Sequence, residues 1–234
     1  MVLTVIVTVF NEKNTIKEAI EDVKKLNLEK EIIVIDNFSD DGTVEILKGL
    51  KDDTVNIVFQ PQNHGFAQSV MTGMSMAKGE FVYIQYSDLE YDILSVYEML
   101  DLIERENLDA VFGSRYYNFR KNICSIFLLV KKRPYALGTL ITTSLINLFY
   151  RKRFTDIIGT KLYRTSSFMK INIKTRNIGF DFEIVSKLCK NRFKIKEVPV
   201  KYKPRNHMDG KKIKAMDIIP ALIAIFKVKF FNNF

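Results

Sequence analysis

The chain is poor in the residues that staple or clip small domains. Its 234 residues include two cysteines, Cys124 and Cys189, and two histidines, His64 and His207. Two cysteines make no disulfide framework, and with the histidines they show no zinc-ligand spacing. A reducing, cytosolic compartment is the simplest expectation. No stretch reaches about 18 uninterrupted apolar residues, so no transmembrane helix is expected. The opening MVLTVIVTVF is apolar, but it is too short for a signal-peptide core and follows no basic region. It reads as a buried strand. No Gly-x-Gly-x-x-Gly follows a strand, and no Gly-x-x-x-x-Gly-Lys-Ser/Thr loop occurs. Dinucleotide oxidoreductases and loop-type nucleoside triphosphatases are thereby disfavoured. No internal repeat, low-complexity tract or clear linker is present.

What is present suits a globular domain. At 47% hydrophobic and 27% charged, the chain can bury the core of one large α/β domain, with or without an appendage. Its formal net charge is +9. Acids are common before residue 110, and Lys and Arg dominate afterwards. This asymmetry points to an anionic partner of the second half: phosphates, nucleic acid or an anionic membrane. No nucleic-acid-binding module accompanies the charge, which disfavours nucleic acid.

The first half alternates strand and helix patterns. Strands are expected over Leu3–Phe10, Glu31–Asp36, Asn56–Gln60, Phe81–Gln85 and Ala110–Gly113. Helices are expected from Asn14, as cap, to about Leu26, and over Val44–Leu50, Phe66–Ala77 and Ile93–Glu106. This order predicts an α/β fold with a mostly parallel sheet and helices on both faces. Three strands end in polar residues, so one crevice at their carboxyl ends collects Glu12, Asp36, Asn37 and Asp88. In Glu80–Asp92, EFVYIQYSDLEYD, the apolar run gives way to Asp88, Glu90 and Asp92. Such a cluster suits a divalent cation holding a phosphorylated ligand. It also suits a solvated, acidic helix start.

The second half is less regular. Cys124–Val130 is apolar, Lys131-Lys132-Arg133 follows, and Pro134 suits a helix start. Tyr135–Tyr150 is mostly apolar with a small polar stripe, and it ends in Arg151-Lys152-Arg153. It reads equally as a membrane-interface helix or a core-facing one. Phe180–Cys189 reads as a helix, Phe193–Tyr202 as an edge strand and Lys203–Lys212 as a mobile basic loop. Ile213–Phe231 reads as an apolar helix interrupted by Pro220, with Lys227 and Lys229 suited to anionic headgroups.

Several segments, in order, carry a family pattern. Val7-Thr8-Val9-Phe10-Asn11-Glu12 is similar to V-P-x-Y-N-E, and Ile33–Thr43 to V-V-D-D-G-S-x-D-G-T. Asn63-His64-Gly65 with Ala67 and Gly73 is similar to N-x-G-x-x-x-A-x-x-x-G, and Gln85–Asp92 to Q-D-A-D-L-E-Y-D. Gly113-Ser114-Arg115-Tyr116, Gly179–Glu183, Glu197-Val198-Pro199-Val200 and Pro204-Arg205 with Asp209–Ile213 follow. Together they resemble family 2 glycosyltransferases of the GT-A fold, specifically the polyprenyl-phosphate (dolichol-phosphate mannose synthase-like) branch, over nearly the full length.

The resemblance implies inverting transfer of a sugar from a nucleotide diphosphate donor to a polyprenyl phosphate. The enzyme would act at the cytoplasmic face of a membrane, held peripherally. Thr8, Phe10, Glu12, Asp36, Asn37, Gln68, Tyr86, Ser87 and Asp88 would bind the donor. Asp88 and Glu90 would hold Mg²⁺ or Mn²⁺. Arg115 would bind the acceptor phosphate with Lys132 and Arg133, and one of Asp181 and Glu183 would face the sugar or acceptor. Arg205, His207, Lys211 and Lys212 would close over the diphosphate. Residues 1–203, including a possible interface helix within 123–150, would form the catalytic domain. Residues 204–234 would add the basic loop and a membrane-surface helix. Tyr86 falls where the family has its first metal-motif acid, Thr8 where it has proline, and Asn37 where it has a second acid, leaving the base preference open. Asp156–Lys161 matches only loosely and is one residue shorter. Two alternatives follow: transfer to a hydroxyl of a glycan or lipid-linked saccharide, and a donor-binding scaffold with weakened catalysis.

Overall fold

The structure, a computed structural model, describes residues 2–50, 52–118, 136–205 and 218–231. Its elements in chain order are β1 (Leu3–Val9), α1 (Ile16–Lys24), β2 (Lys30–Asp36), α2 (Thr43–Gly49), β3 (Val55–Phe59), α3 (Phe66–Met76), β4 (Phe81–Tyr86), α4 (Ser95–Arg105) and β5 (Ala110–Ser114). There follow α5 (Ala136–Tyr150), β6 (Lys161–Arg164), α6 (Thr165–Phe168), α7 (Phe180–Lys190), β7 (Ile195–Pro199) and α8 (Ile218–Phe230). The strands form one sheet in the order β3-β2-β1-β4-β6-β5-β7.

The α/β expectation holds. β1 pairs in parallel with β2 and β4, and β2 with β3. β1 is buried along its whole length, as a strand covered on both faces must be. Its side chains alternate between two cores. Ile6 joins Val70, Phe112, Phe180 and Ile225 on the face carrying α3, α5, α7 and α8. Leu3, Val5 and Val7 join Ile16, Ile20, Met99 and Ile103 on the face carrying α1 and α4.

Two local expectations need correction. Helix α1 begins at Ile16 with Thr15 at its cap position, not Asn14. The backbone N–H groups of Thr15 and Ile16 both donate to the Glu12 carbonyl, so the preceding turn sets the boundary. The second is a strand with no sequence signal, β6, four residues long. It is inserted antiparallel between β4 and β5, so these two never pair and the sheet is mixed.

The β5–β6 junction is tight. A Cβ placed on Gly159 would lie 1.8 Å from the Gly113 carbonyl oxygen, and both partners are backbone. Gly159→Ala must therefore part the strands. It is expected to cost about 3 kcal/mol, read in a thermal melt as a Tm lowered by roughly 6–12 °C.

Helices α5 and α8 pack together through Phe149, whose ring meets Phe226 at 5.4 Å and Phe230 at 5.7 Å. Among the described residues, nothing covers their apolar outer sides. Leu148 is 75% exposed and Phe230 64%, and a groove of about 590 Å³ runs between Ile141, Leu145, Leu222 and Phe226. Among the described residues, no helix is long and apolar enough to cross a membrane.

Candidate active site

The crevice forms where β1, β2 and β4 end, and each end turns through a left-handed residue. Asn11, Phe38 and Leu89 have φ of 55°, 69° and 58°. Such backbone is rare for Phe and Leu and is held only where neighbours over-determine it. The β1 end is fastened to the segment after β2. Asn11 Nδ2 donates to Asp40 Oδ1, the Glu12 N–H donates to Thr43 Oγ1, and the Lys13 N–H donates to Asp41 Oδ2. The Asp-Asp-Gly-Thr spacing thus positions Glu12.

Asp36 ends β2 at 1% exposure. Its Oδ2 accepts from the Phe38 and Ser39 N–H groups, each at 3.1 Å. Its Oδ1 is buried and, among the described residues, has no partner. Asn37 accepts from the His64 N–H at Oδ1 and donates from Nδ2 to Asn63 Oδ1, both at 2.9 Å. A carboxylate accepts only, so an acid at this position would lose the bond to Asn63. Of the other expected donor residues, Phe10 is half-buried at the crevice mouth. Ser87 spends its hydroxyl on the Thr8 carbonyl at 2.9 Å. Gln68 lines a groove of about 420 Å³ with Gln60, His64, Thr72 and Arg176.

Tyr86 packs its ring among aromatic neighbours. Its ring stacks on Phe66 at 5.5 Å and tilts against Tyr91 at 5.7 Å. The row continues to Tyr202 on one side and Phe180 on the other.

Asp88 Oδ1 accepts from the Glu90 N–H at 3.1 Å. Burial pushes its pKa up to about 6. Glu90 holds the far segment: it accepts from the Tyr202 hydroxyl at 2.9 Å and the Arg205 N–H at 2.8 Å. The Arg205 guanidinium then reaches back into the crevice. It pairs with Glu12 at 2.8 and 3.0 Å, meets Asp88 at 3.4 Å and lies 3.9 Å from Glu90. Asp88 and Glu90 offer the oxygen donors that hard divalent cations take. A buried carboxyl with a raised pKa and a guanidinium already drawn against both acids fit a cation there. Among the described residues, no group of three His, Cys, Asp or Glu side chains is gathered to hold a metal alone.

Arg115, expected to meet an acceptor phosphate, is clamped by Asp156. Its Nε donates to Oδ2 at 2.6 Å, its Nη2 to Oδ1 at 2.9 Å and its own N–H to Oδ2 at 3.1 Å. The guanidinium lies 5.1 and 5.2 Å from the ring centres of Tyr116 and Tyr202. Burial works against the charge on Asp156, yet Arg115 holds its carboxyl below the usual range. Glu197 steadies the pair by accepting from the Thr155 and Asp156 N–H groups, and burial pushes its pKa up to about 7.

The two acids of α7 divide. Glu183 is fully buried and spent on the Lys174 and Thr175 N–H groups and Lys187. Asp181 is 17% exposed and pairs with Lys161 at 2.9 Å. Lys132, Arg133, His207, Lys211 and Lys212, with Pro134 and the expected helix start at Ile213, lie outside the described residues. Asp156, Lys161 and Glu197 went unassigned by sequence reasoning. The loosely matching Asp156–Lys161 segment was the one signal for the first two.

Comparison with known proteins supplies the family. The sequence profile described as glycosyl transferase family 2 matches residues 4–171. A cholesterol galactosyltransferase of Borreliella burgdorferi is 29% identical over 194 residues, covering 76% of this chain and 52% of that protein. The low-salt glycan biosynthesis hexosyltransferase Agl6 of Haloferax volcanii is 23% identical over 211 residues, covering 87% of this chain and 48% of that protein. The chain thus spans about half the length of these curated relatives. Among solved structures, glucosyl-3-phosphoglycerate synthase from Mycobacterium tuberculosis, with Mn²⁺, uridine diphosphate and phosphoglyceric acid, superposes with a TM-score of 0.66. It is 16% identical, with 98% of this chain and 78% of that one covered. Mannosyl-3-phosphoglycerate synthase from Rubrobacter xylanophilus gives a TM-score of 0.69 at 14% identity, covering 97% and 73%. At such identities the likeness shows the fold, and the GT-A expectation holds.

Proposed function

We propose, for a chain that belongs to glycosyl transferase family 2, inverting transfer of a sugar from a nucleotide diphosphate donor to a polyprenyl phosphate at a membrane surface. One observation carries the donor side: the buried, unpartnered Oδ1 of Asp36. A buried acceptor without a partner costs about 1–3 kcal/mol, which a base N–H or ribose hydroxyl would recover. Asp88 and Glu90 would hold Mg²⁺ or Mn²⁺, which neutralises charge on the departing nucleoside diphosphate when bound. Arg205 stands within reach of the same phosphates, where its planar fork suits their oxygens. The acceptor oxygen attacks the anomeric carbon from the face opposite the breaking bond to the diphosphate, which inverts the configuration. A phosphate oxygen is already anionic near neutral pH and needs no base.

The lipid side rests on the uncovered apolar flank of α5 and α8. Exposed Arg151, Arg153 and Lys227 sit beside it, as binding to an anionic cytoplasmic leaflet requires. Vesicles of phosphatidylglycerol are expected to sediment the protein, and neutral phosphatidylcholine vesicles to sediment it less. Leu148→Glu with Phe230→Glu should abolish binding; retention of binding by that double variant would remove the lipid reading. The reaction is tested by nucleoside diphosphate release from a panel of nucleotide sugars with undecaprenyl phosphate and Mn²⁺. No release from any donor would refute the transferase reading.

A second acceptor class is favoured by one observation. Arg115 is committed to Asp156, whereas Asp181 gives Oδ1 to Lys161 and, among the described residues, leaves Oδ2 open. A hydroxyl acceptor needs a base, and Asp181 is the carboxylate placed to serve. Activity with a saccharide or sterol hydroxyl, and none with undecaprenyl phosphate, would select this reading. Nucleotide binding indifferent to Mn²⁺, without turnover, would select a scaffold.

A further inference from the structure

We infer that Lys161 is a positioning residue that aims the Asp181 carboxylate into the crevice. The inference rests on reading the crevice as a transferase site. Lys161 opens β6, the antiparallel strand wedged between β4 and β5, in register with Ile84 on one side and Phe112 on the other. Because β6 runs against its neighbours, its first residue, not its last, lies at the crevice end of the sheet. Lys161 is only 2% exposed. Lysine is almost never buried to this degree unless paired, because an ammonium withdrawn from water is costly without a counter-charge. Its carboxylate partner is Asp181: Nζ donates to Oδ1 at 2.9 Å and to the Gly159 carbonyl at 3.1 Å. The ring of Phe112 lies 5.9 Å from Nζ, closing the other side.

The arrangement fixes one oxygen of Asp181 and leaves the other open. Among the described residues, Oδ2 has no protein partner. Glu183, two residues along α7, serves as the contrast, because its carboxylate is consumed by backbone N–H groups and Lys187. The remaining titratable groups facing Asp181 are the phenols of Tyr86 and Tyr163. Burial, reinforced by the Asp181 charge, raises both well above the usual phenol range, and Lys161 supplies the opposite charge at 2.9 Å. Asp181 acts on Tyr86 at the end of β4, where the Asp88 charge also reaches; Lys161 acts through Asp181.

The expected signature is a split between kcat and KM. Lys161→Met should lower kcat about 100-fold, the scale on which a misplaced group slows a reaction. KM for the donor should stay within about threefold, because donor contacts lie on β1, β2 and β4. Asp181→Asn should lower kcat at least as much. The double variant should be no slower than Asp181→Asn alone, since residues acting as one unit do not add. The assay is nucleoside diphosphate release from whichever of UDP-glucose, UDP-galactose and GDP-mannose the wild-type chain turns over. A kcat loss in Lys161→Met that multiplies with that of Asp181→Asn would overturn the inference, as would an unchanged kcat. If Lys161→Met melts early, the double variant, which removes the unpaired carboxylate as well, supplies the same comparison. A wild-type chain that turns over no donor removes the transferase reading itself, and this inference with it.

Discussion

Asp88→Asn is expected to abolish sugar transfer while leaving the protein at least as stable. The two halves of this result have one cause. Asp88 is withdrawn from water, and burial lifts its pKa from 3.8 to about 6. At pH 7 it is nevertheless charged, and keeping it so costs the fold about 3 kcal/mol. The sign follows from the direction of the shift. The folded state holds the proton more tightly than the unfolded chain, so this group's contribution is fully present below pH 3.8. It is lost as pH rises through about 6. A neutral amide of the same shape removes that cost, so the Tm of Asp88→Asn at pH 7 should hold or rise, and its decline between pH 4 and 7 should flatten. Turnover should fall by about 1000-fold, the scale on which preorganised charge at a leaving group acts. Loss of activity together with a lower Tm would instead mean that Asp88 supports the structure.

Arg115→Met is expected to do the reverse, damaging the fold first. Its guanidinium and the Asp156 carboxylate are 10% and 0% exposed. Removing one partner of such a pair strands the other, at about 3–5 kcal/mol, or a Tm lower by roughly 6–20 °C in a chain of this size. Asp156→Asn should fall similarly, while Arg115→Met with Asp156→Leu should regain much of the loss. Were Arg115 spent instead on an acceptor phosphate, Arg115→Met would melt near wild type and raise the acceptor KM. A thermal melt on the two singles and the double separates these outcomes.

The parts legible in the sequence were those with a repeating physical pattern. Strands β1, β2 and β4 announced themselves as apolar runs ending in polar residues, and α1 and α4 as apolar residues at helical spacing. The crevice acids followed from the rule that parallel strands present their carboxyl ends together. That same rule hid the rest. β6 has four residues, too few for an alternation to register, and it meets the crevice from the opposite direction. Asp156 and Lys161 therefore sit before or at a strand's start, where nothing in the pattern points to a site. Arg115 was legible as a motif but not as a partner of Asp156, because 41 residues separate them. Tyr86 read as the oddity of the metal motif. Its ring belongs to a row of aromatic contacts with Phe66 and Tyr91, which a string of letters does not reveal.

The meeting of Arg205 with Glu12, Asp88 and Glu90 bears on the order in which ligands arrive. Among the described residues, three carboxylates against one guanidinium leave a formal deficit of two positive charges. A diphosphate approaching alone meets that deficit as repulsion within a few ångströms, where partial burial leaves little screening. A dication cancels it. Donor association should accordingly be slow without Mn²⁺, steep in its dependence on Mn²⁺ concentration, and faster in an Arg205→Lys protein than in Arg205→Met. The crevice is in effect a toll set by charge, and the sequence of arrivals is written in its electrostatics before any sugar is present.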